Sequence, residues 1–484
     1  MDNHYLTGNL GPTRHEHTAT DLRVSGKIPD FLDGRYVRNG PNPAADLDPE
    51  LYHWFMGDGM LHGVRLRDGR AEWYRNRWVR TPRLRSVLGE PAARKRGRRA
   101  VAEFLGANTS VIGHAGRTLA LVEGGPSVVE LTDELDTVGP CDFDGTLPGG
   151  YTAHPIRDPE TGDLHAVSYS IGRGNTVQYS VIGADGRAKR TVDIEVTGSP
   201  MMHAFSLTRN HVVLYDLPVV FDAAEAVEIA VPRPLRLPVR LVLSAIVGRV
   251  RVPHPILTRL DRTLRPNARM PYRWDPEYPA RIGVMPRDGD QVRWLEVDAC
   301  YVYHPVNAYE DGDTIVLDIV RMPKTMDVNR NGPIEHGGEP ELHRWTVDLA
   351  AGKVREECLD DRSQEFPRVD ERLAGRRHRY GYLVGGTTPD RPIEALIKHD
   401  FAGNGSVTRE FGPGHGLGEF CFIPAHDTAA EDDGVLVGYV HVQAEDRSDL
   451  AILDAGTLET VASVHLPYRV PMGFHGNWLP SHQS

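Results

Sequence analysis

Apolar residues along this chain come in short runs, for example 118–123, 165–169, 211–216, 314–320 and 435–442. Runs of this length, rich in Val, Ile, Leu and Tyr and bounded by turn residues, predict β-strands rather than helices. Turn pairs stand between them, among them Gly57-Asp58-Gly59, Asp68-Gly69, Asp185-Gly186, Asp288-Gly289, Asp311-Gly312 and Asp433-Gly434. Asp-Gly supplies the positive φ that tight hairpins demand. Strands at this density predict an all-β sandwich, barrel or propeller. One open sheet of such size does not hold together, and a length of 484 residues favours radial repetition. A β-propeller is therefore expected, although self-similarity between its blades is weak.

Two segments break the strand pattern. Residues 82–107 contain Arg94-Lys95-Arg96-Gly97-Arg98-Arg99 followed by the apolar run 101–105, which predicts a basic helix. Residues 223–270 have Pro-rich edges around 235–250, where Leu, Val and Ile alternate with Arg. That stretch fits an amphipathic lid that rests on a membrane surface or guards an apolar entrance; the plainer alternative is an insertion packed on its own domain. No linker divides the chain. One domain spanning 1–484, with cap insertions at about 82–107 and 223–270, is expected.

Composition narrows the function. The chain is 40% hydrophobic and 25% charged, with a formal charge of -12, which argues against nucleic acid because phosphate binding needs a basic surface. Cys141, Cys300, Cys358 and Cys421 are scattered without Cys-X-X-Cys spacing, so neither a disulfide scaffold nor a thiolate metal site is expected. Residues 1–30 are polar and no long apolar run follows, which points to a cytoplasmic protein, with peripheral membrane contact through 235–250 left open.

The chemistry-bearing signal is a set of four distant histidines. His154, His203, His304 and His475 lie in Tyr-Thr-Ala-His-Pro, Met-Met-His-Ala-Phe, Tyr-His-Pro-Val-Asn-Ala and Gly-Phe-His-Gly-Asn-Trp, each at the edge of a strand-like run. Imidazole is the commonest protein ligand for redox-capable metals. Three glutamates occupy apolar or glycine-rich surroundings: Glu123 after 119–122, Glu365 before Phe366-Pro367 and Glu419 before Phe420. Buried carboxylates need partners, and metal-bound histidines donate their second N–H to such groups. Four imidazoles around a six-coordinate metal leave two positions open, which suits O2 and makes iron the natural occupant; ligand type alone also admits Zn, Cu or Ni.

Residues 34–43 read Gly-Arg-Tyr-Val-Arg-Asn-Gly-Pro-Asn-Pro, followed by His53-Trp54-Phe55, Gly57-Asp58-Gly59-Met60-Leu61-His62-Gly63 and Asn76-Arg77-Trp78-Val79-Arg80-Thr81. With Ala107-Asn108-Thr109, Glu365-Phe366-Pro367-Arg368 and Arg379-Tyr380-Gly381-Tyr382, these blocks resemble the carotenoid cleavage oxygenases over residues 20–480. The resemblance implies a seven-bladed β-propeller whose helical cap covers an axial Fe(II), one per chain. It implies His154, His203, His304 and His475 as iron ligands and Glu123, Glu365 and Glu419 as the carboxylates behind them. Thr109 matches a threonine whose methyl group crowds an open iron position. Met56, Ala204 and Ile156 depart from the family pattern, away from the iron.

The activity so implied is O2-dependent cleavage of a conjugated C=C bond into two carbonyl products, on a hydrophobic substrate reaching the iron through an apolar tunnel. Tunnel candidates are Val122, Trp54, Phe55, Tyr303, Phe474 and Trp478. Stilbene-cleaving relatives place a Lys just before the first of the three glutamates and a Tyr upstream to meet a phenol oxygen. Here Val122 holds that position and 82–108 contains no Tyr. A carotenoid or apocarotenoid is therefore favoured over a hydroxystilbene or isoeugenol-like alkene. An O2-independent isomerohydrolase on the same scaffold and a non-enzymatic binding propeller are the remaining alternatives.

Overall fold

The computed structural model describes residues 3–45, 47–50, 52–91, 106–124, 128–147, 150–251, 270–326, 338–386 and 393–481. Among them the strands form seven antiparallel sheets of four to six strands and one two-stranded ribbon, the expected seven-bladed propeller. Blade 1 holds Gly34–Pro41, Gly59–Arg67 and Arg70–Trp78; blade 2 runs from Ser110–His114 to Thr137–Cys141 and blade 3 from Ile156–Arg157 to Ala188–Glu195. Blade 4 spans Phe205–Leu207 to Arg293–Glu296, interrupted by the ribbon Val219–Phe221 with Tyr272–Trp274. Blade 5 runs from Pro305–Asp311 to Lys353–Asp360 and blade 6 from Gln364–Arg368 to Gly405–Glu410. Blade 7 runs from His415–Leu417 to Thr460–His465.

Sequence pattern and strand position correspond closely. The middle strand Thr314–Arg321 of blade 5 is buried at six consecutive positions, because both faces of a blade pack on neighbours. The outermost strand Lys353–Asp360 faces solvent over most of its length, as does Gly405–Glu410. That gradient explains why the central strands read as unbroken apolar runs.

Apolar clusters fill the wedges between blades. Val37, Leu61, Val111 and Leu131 join blades 1 and 2, and Leu121, Tyr151, Leu164 and Ile182 join 2 and 3. A large cluster including Tyr179, Leu214, Leu317 and Trp345 spans blades 3 to 5. Val320 with Leu383 joins 5 and 6, Leu396 with Leu436 joins 6 and 7, and Tyr36 with Tyr439 joins 7 and 1. Each fully buried aliphatic or aromatic side chain contributes about 1.5–3 kcal/mol.

Both chain ends close the ring. Gly476–Pro480 pairs with Gly34–Pro41, Arg38 opposite Gly476, while Arg23–Gly26 pairs with Thr460–His465. Late and early segments thus share blades 1 and 7, and the sheet edges nearest the seam are covered.

The two segments outside the strand pattern are partly described. Residues 82–107 open with a short helix, Pro82–Val87, N-capped by Thr81; the basic stretch 94–99 and the run 101–105 lie outside the described residues. Residues 223–270 carry helices Ala223–Ala230 and Arg236–Ile246, with 252–269 outside the described residues. The second helix buries none of its residues and exposes Leu237, Leu241 and Val242, flanked by exposed Leu235 and Val250. Among the described residues no helix is long and apolar enough to cross a membrane.

Candidate metal centre

The propeller delivers each of the four histidines at the start of an edge strand. His154 and His203 stand two residues before Ile156–Arg157 and Phe205–Leu207; His304 and His475 stand directly before Pro305–Asp311 and Gly476–Pro480. Pro155 and Pro305 follow two of them and carry no backbone donor, so the ladder starts beyond the histidine. The last histidine needs glycine on both sides. A Cβ at Gly473 would come within 2.5 Å of the Arg38 guanidinium carbon, and one at Gly476 would strike the Tyr36 hydroxyl. The segment is stitched in place by Phe474 N–H to Asn39 O at 3.0 Å and His475 N–H to Thr109 O at 3.1 Å.

One nitrogen of each ring lies within 4.8 Å of the other three. Neighbouring ring centroids are 4.2 Å apart for His154 and His203, 4.6 Å for His154 and His475, and 4.8 Å for His304 and His475. Carboxylates hold three of the rings from behind. His304 Nδ1 lies 2.7 Å from Glu365 and His475 Nδ1 3.1 Å from Glu419, while His203 Nδ1 contacts Glu123. Donation from Nδ1–H to a carboxylate leaves Nε2 as a lone pair. His154 has no carboxylate of its own; its Nε2 is 3.8 Å from Glu123 and buried without a hydrogen-bond partner.

Every blade contributes one of these seven residues. Histidines come from blades 3, 4, 5 and 1, and glutamates from blades 2, 6 and 7. Each carboxylate is itself anchored. Glu123 accepts from the Tyr169 hydroxyl at 2.7 Å, Glu365 from Phe366 N–H, and Glu419 from Gly476 N–H at 2.9 Å with Arg368 at 3.5 Å.

This arrangement fits a cation. Nε2 of His203 and Nε2 of His304 approach to 3.1 Å; with both rings neutral and each Nδ1–H donated to a carboxylate, two lone pairs would face each other. Burial, then the neighbouring rings, hold the His154, His203 and His475 imidazoles far below the ordinary histidine range, which keeps them neutral and able to coordinate. Burial pushes His304 the same way, but Glu365, with Glu419 and Glu123 behind it, reverses that and leaves the ring raised. The excess negative potential that favours a proton there also favours a divalent ion.

The aromatic candidates group beside the histidines, with one exception. Trp54 packs on Phe474 with centroids 4.6 Å apart, Phe474 on Phe55 at 5.5 Å, Phe55 on Tyr303 at 6.5 Å and Tyr303 on His203 at 5.2 Å. Trp478 instead packs with the apolar cluster between blades 7 and 1, away from that row. Val122 is buried next to Glu123. Thr109 is buried, and its hydroxyl lies 3.0 Å from the Asn108 amide oxygen, which leaves the methyl as the part free to pack.

Three residues at the centre escaped sequence reasoning as individuals. Tyr169 is an ordinary strand-end tyrosine in sequence. Arg368 anchors Glu419 and Asn477, the latter at 2.7 Å. Phe366 stacks on His304 with centroids 5.6 Å apart and holds a positive φ of 51°. A left-handed non-glycine residue costs on the order of 1–3 kcal/mol and persists only where its surroundings over-determine it. Here the residue breaks the strand register between Glu365 and Arg368, and only the Glu-Phe-Pro-Arg block hinted at it.

Comparison with known proteins agrees with this geometry. The family model described as retinal pigment epithelial membrane protein matches residues 10–480. The chain belongs to the carotenoid cleavage oxygenase family. It is 56% identical to a carotenoid cleavage oxygenase of Mycobacterium tuberculosis, over 99% of this chain and 98% of that protein. A carotenoid 9,10(9',10')-cleavage dioxygenase 1 of Phaseolus vulgaris is 32% identical over 100% and 90% of the two chains. Among solved structures, the lignostilbene dioxygenase of Pseudomonas brassicacearum superposes with a TM-score of 0.80 at 26% identity, covering 99% and 98%. As a member of the carotenoid cleavage oxygenase family the chain is an oxygenase enzyme, and its four histidines are a group that could hold a metal ion.

Proposed function

We propose that this oxygenase is a non-haem Fe(II) dioxygenase that splits a conjugated C=C bond of a carotenoid or apocarotenoid. Both atoms of O2 enter the products, one on each new carbonyl. The observation that carries the proposal is the ring of four imidazoles, three of them backed by carboxylates. His154, His203, His304 and His475 would hold the metal. Bound iron(II) supplies the redox chemistry that lets O2 react with an alkene.

The chain's residues do the rest by holding and excluding. Glu365, Glu419 and Glu123 keep the Nδ1 protons of His304, His475 and His203 in place and so aim each Nε2 inward. The Thr109 methyl would narrow the approach to the metal. Trp54, Phe474, Phe55 and Tyr303 offer an apolar wall along which a polyene could lie. Val122, beside Glu123, offers no charge or hydrogen bond to a phenolate, whose burial without a partner costs on the order of several kcal/mol. These features support an isoprenoid substrate. Cleavage of a lignostilbene or phenylpropanoid alkene is the second reading, favoured by the lignostilbene dioxygenase likeness.

Segments 82–107 and 223–270 are read as a cap. Exposed Leu235, Leu237, Leu241, Val242 and Val250, interspersed with Arg236, Arg240 and Arg249, suit an apolar face seated in a lipid surface with arginines at headgroup level. A membrane is also where a carotenoid dissolves.

One experiment decides between the readings. Fe(II)-loaded protein is given ¹⁸O2 with carotenoids, apocarotenals and 4-hydroxystilbenes, and the carbonyl fragments are weighed by mass spectrometry. Doubly labelled cleavage of apocarotenoids is expected; cleavage of stilbenes alone favours the second reading, and products without label sink both.

A further inference from the structure

A second group of metal-ligating side chains sits on the outer part of blade 5. One ring nitrogen of His343, one Glu341 carboxylate oxygen and the Cys358 Sγ all lie within 4.8 Å of one another. Glu341 and His343 are two residues apart on the strand Glu341–Asp348 and so share a face. Cys358, on the outermost strand, is the cross-strand partner of His343.

That partnership depends on a β-bulge. Leu342 pairs with Asp360 but His343 pairs with Cys358, which makes Leu359 an extra residue on the outer strand. In unbroken register Leu359 would stand opposite His343. The bulge replaces it with a thiol and leaves Leu359 exposed. Bulges that re-aim a side chain toward a cluster are a recurrent feature of binding sites.

We propose that Glu341, His343 and Cys358 bind a zinc ion at a site separate from the axial four-histidine centre. The donor set is one thiolate, one imidazole and one carboxylate. All three are zinc ligands, and three protein ligands leave a fourth tetrahedral position for water. Access is open from solvent: Cys358 is exposed, whereas Cys141, Cys300 and Cys421 are buried. The Glu341 side chain is 32% exposed and that of His343 12%.

The hydrogen bonding of this cluster is incomplete. His343 Nε2 lies 3.1 Å from Glu341, while its Nδ1 is buried with no hydrogen-bond partner among the described residues. Burial pushes the Cys358 thiol up, and the Glu341 and Asp361 carboxylates add to the effect. Carboxylates that disfavour a bare thiolate favour a divalent cation beside it. Arg321, which pairs with Glu341 across the sheet, has its Nε 3.7 Å from Glu356. On binding, Zn²⁺ takes the place of the thiol proton, which leaves to solvent; no redox step is involved.

The site is also clear of the axis. Pro305, next to His304, pairs with Ile319, Ile319 with His343, and His343 with Cys358. Three strand spacings separate the two ends of that row, about 14 Å.

Cobalt distinguishes the two centres, because only a site with sulfur gives a thiolate-to-Co(II) charge-transfer band and the axial centre offers nitrogen alone. Co²⁺ is added to the iron-loaded enzyme and the near-ultraviolet spectrum is recorded. The expected result is a charge-transfer band that Zn²⁺ erases, that Cys358→Ser lacks, and that needs a higher Co²⁺ concentration in Glu341→Gln. Zinc uptake measured by plasma mass spectrometry should fall by one equivalent in Cys358→Ser. That variant changes one exposed atom and keeps the fold. Absence of the band from the wild-type enzyme, or its survival in Cys358→Ser, overturns the assignment.

Discussion

Two regions of this molecule invert the usual partition of residues, and in opposite senses. On the axis, four imidazoles and three carboxylates are withdrawn from water, where ionisable groups seldom stay unless paired. On the helix Arg236–Ile246 and its flanks, Leu235, Leu237, Leu241, Val242 and Val250 stand in water, where large apolar groups seldom cluster. Each inversion points to something the chain does not itself supply: a cation for the first, an apolar surface for the second. They differ in how they are held. The axial groups are fixed by hydrogen bonds drawn from all seven blades. The helix buries no residue and its surroundings are tied by Arg236 to Glu228 and Arg251 to Asp193.

Removing a ligand tests the first half of that contrast most severely. His304→Ala takes away one nitrogen and leaves Glu365 buried without its partner. Metal retention and alkene cleavage are expected to vanish, measured by plasma mass spectrometry and product analysis on protein whose circular dichroism is unchanged. Near-stoichiometric metal in that variant would remove His304 from the site.

The carboxylates come next. Glu365→Gln keeps the shape but trades an anion for a neutral amide behind His304 Nδ1. Outer partners of metal-bound histidines typically matter by about 10–100-fold in affinity or activity. A fall of that size in iron affinity is expected by competitive chelator titration, and an unaltered affinity would reduce Glu365 to a packing residue.

How much of this was legible in the sequence depended on which physical signal carried it. Strands such as Thr314–Arg321 were visible because burial on both faces writes an unbroken apolar run. The ring of blades was not visible in repeats, since each wedge is filled by different residues, Trp345 in one and Tyr36 with Tyr439 in another. Length and turn density pointed to a propeller; family resemblance supplied the number of blades. The four histidines stood out through their strand-edge settings, and the three glutamates through apolar neighbours. Tyr169 left no trace, because a hydrogen bond from blade 3 to blade 2 has no periodicity. Phe366 was equally hidden: a left-handed phenylalanine is a consequence of tertiary packing. Trp478 lies close to His475 in sequence, but it stands on the next strand and packs in the wedge between blades 7 and 1.

The helix sharpens the contrast at moderate cost. A Leu237→Ser and Leu241→Ser double variant removes two exposed side chains one turn apart and touches nothing buried. Full burial of one such side chain is worth about 1.5–3 kcal/mol, and partial insertion of two should still shift partitioning by about tenfold. Sedimentation with anionic phospholipid vesicles measures it, and turnover of a detergent-solubilised short apocarotenal should not change. Equal vesicle binding by both proteins would return the helix to an ordinary surface insertion.

The smallest expected effect lies one layer further from the metal. Burial pushes the Glu123 carboxyl up, and His154, the Tyr169 hydroxyl and His304 act against that rise. Tyr169→Phe removes one of these three restraints, so the carboxyl rises further and its anion, which must accept from His203 Nδ1, is lost at a higher pH on acidification. A hydrogen bond to a charged group is worth about 1.5–3 kcal/mol, less where the rest of the site compensates. Activity at neutral pH should therefore fall only a few-fold, while the acid limb of the kcat/KM profile moves to higher pH. A structural defect alone would lower the whole profile without displacing that limb. An acid limb left in place would show that Glu123 stays ionised without Tyr169 and that the hydrogen bonding which fixes the axis stops at the carboxylates.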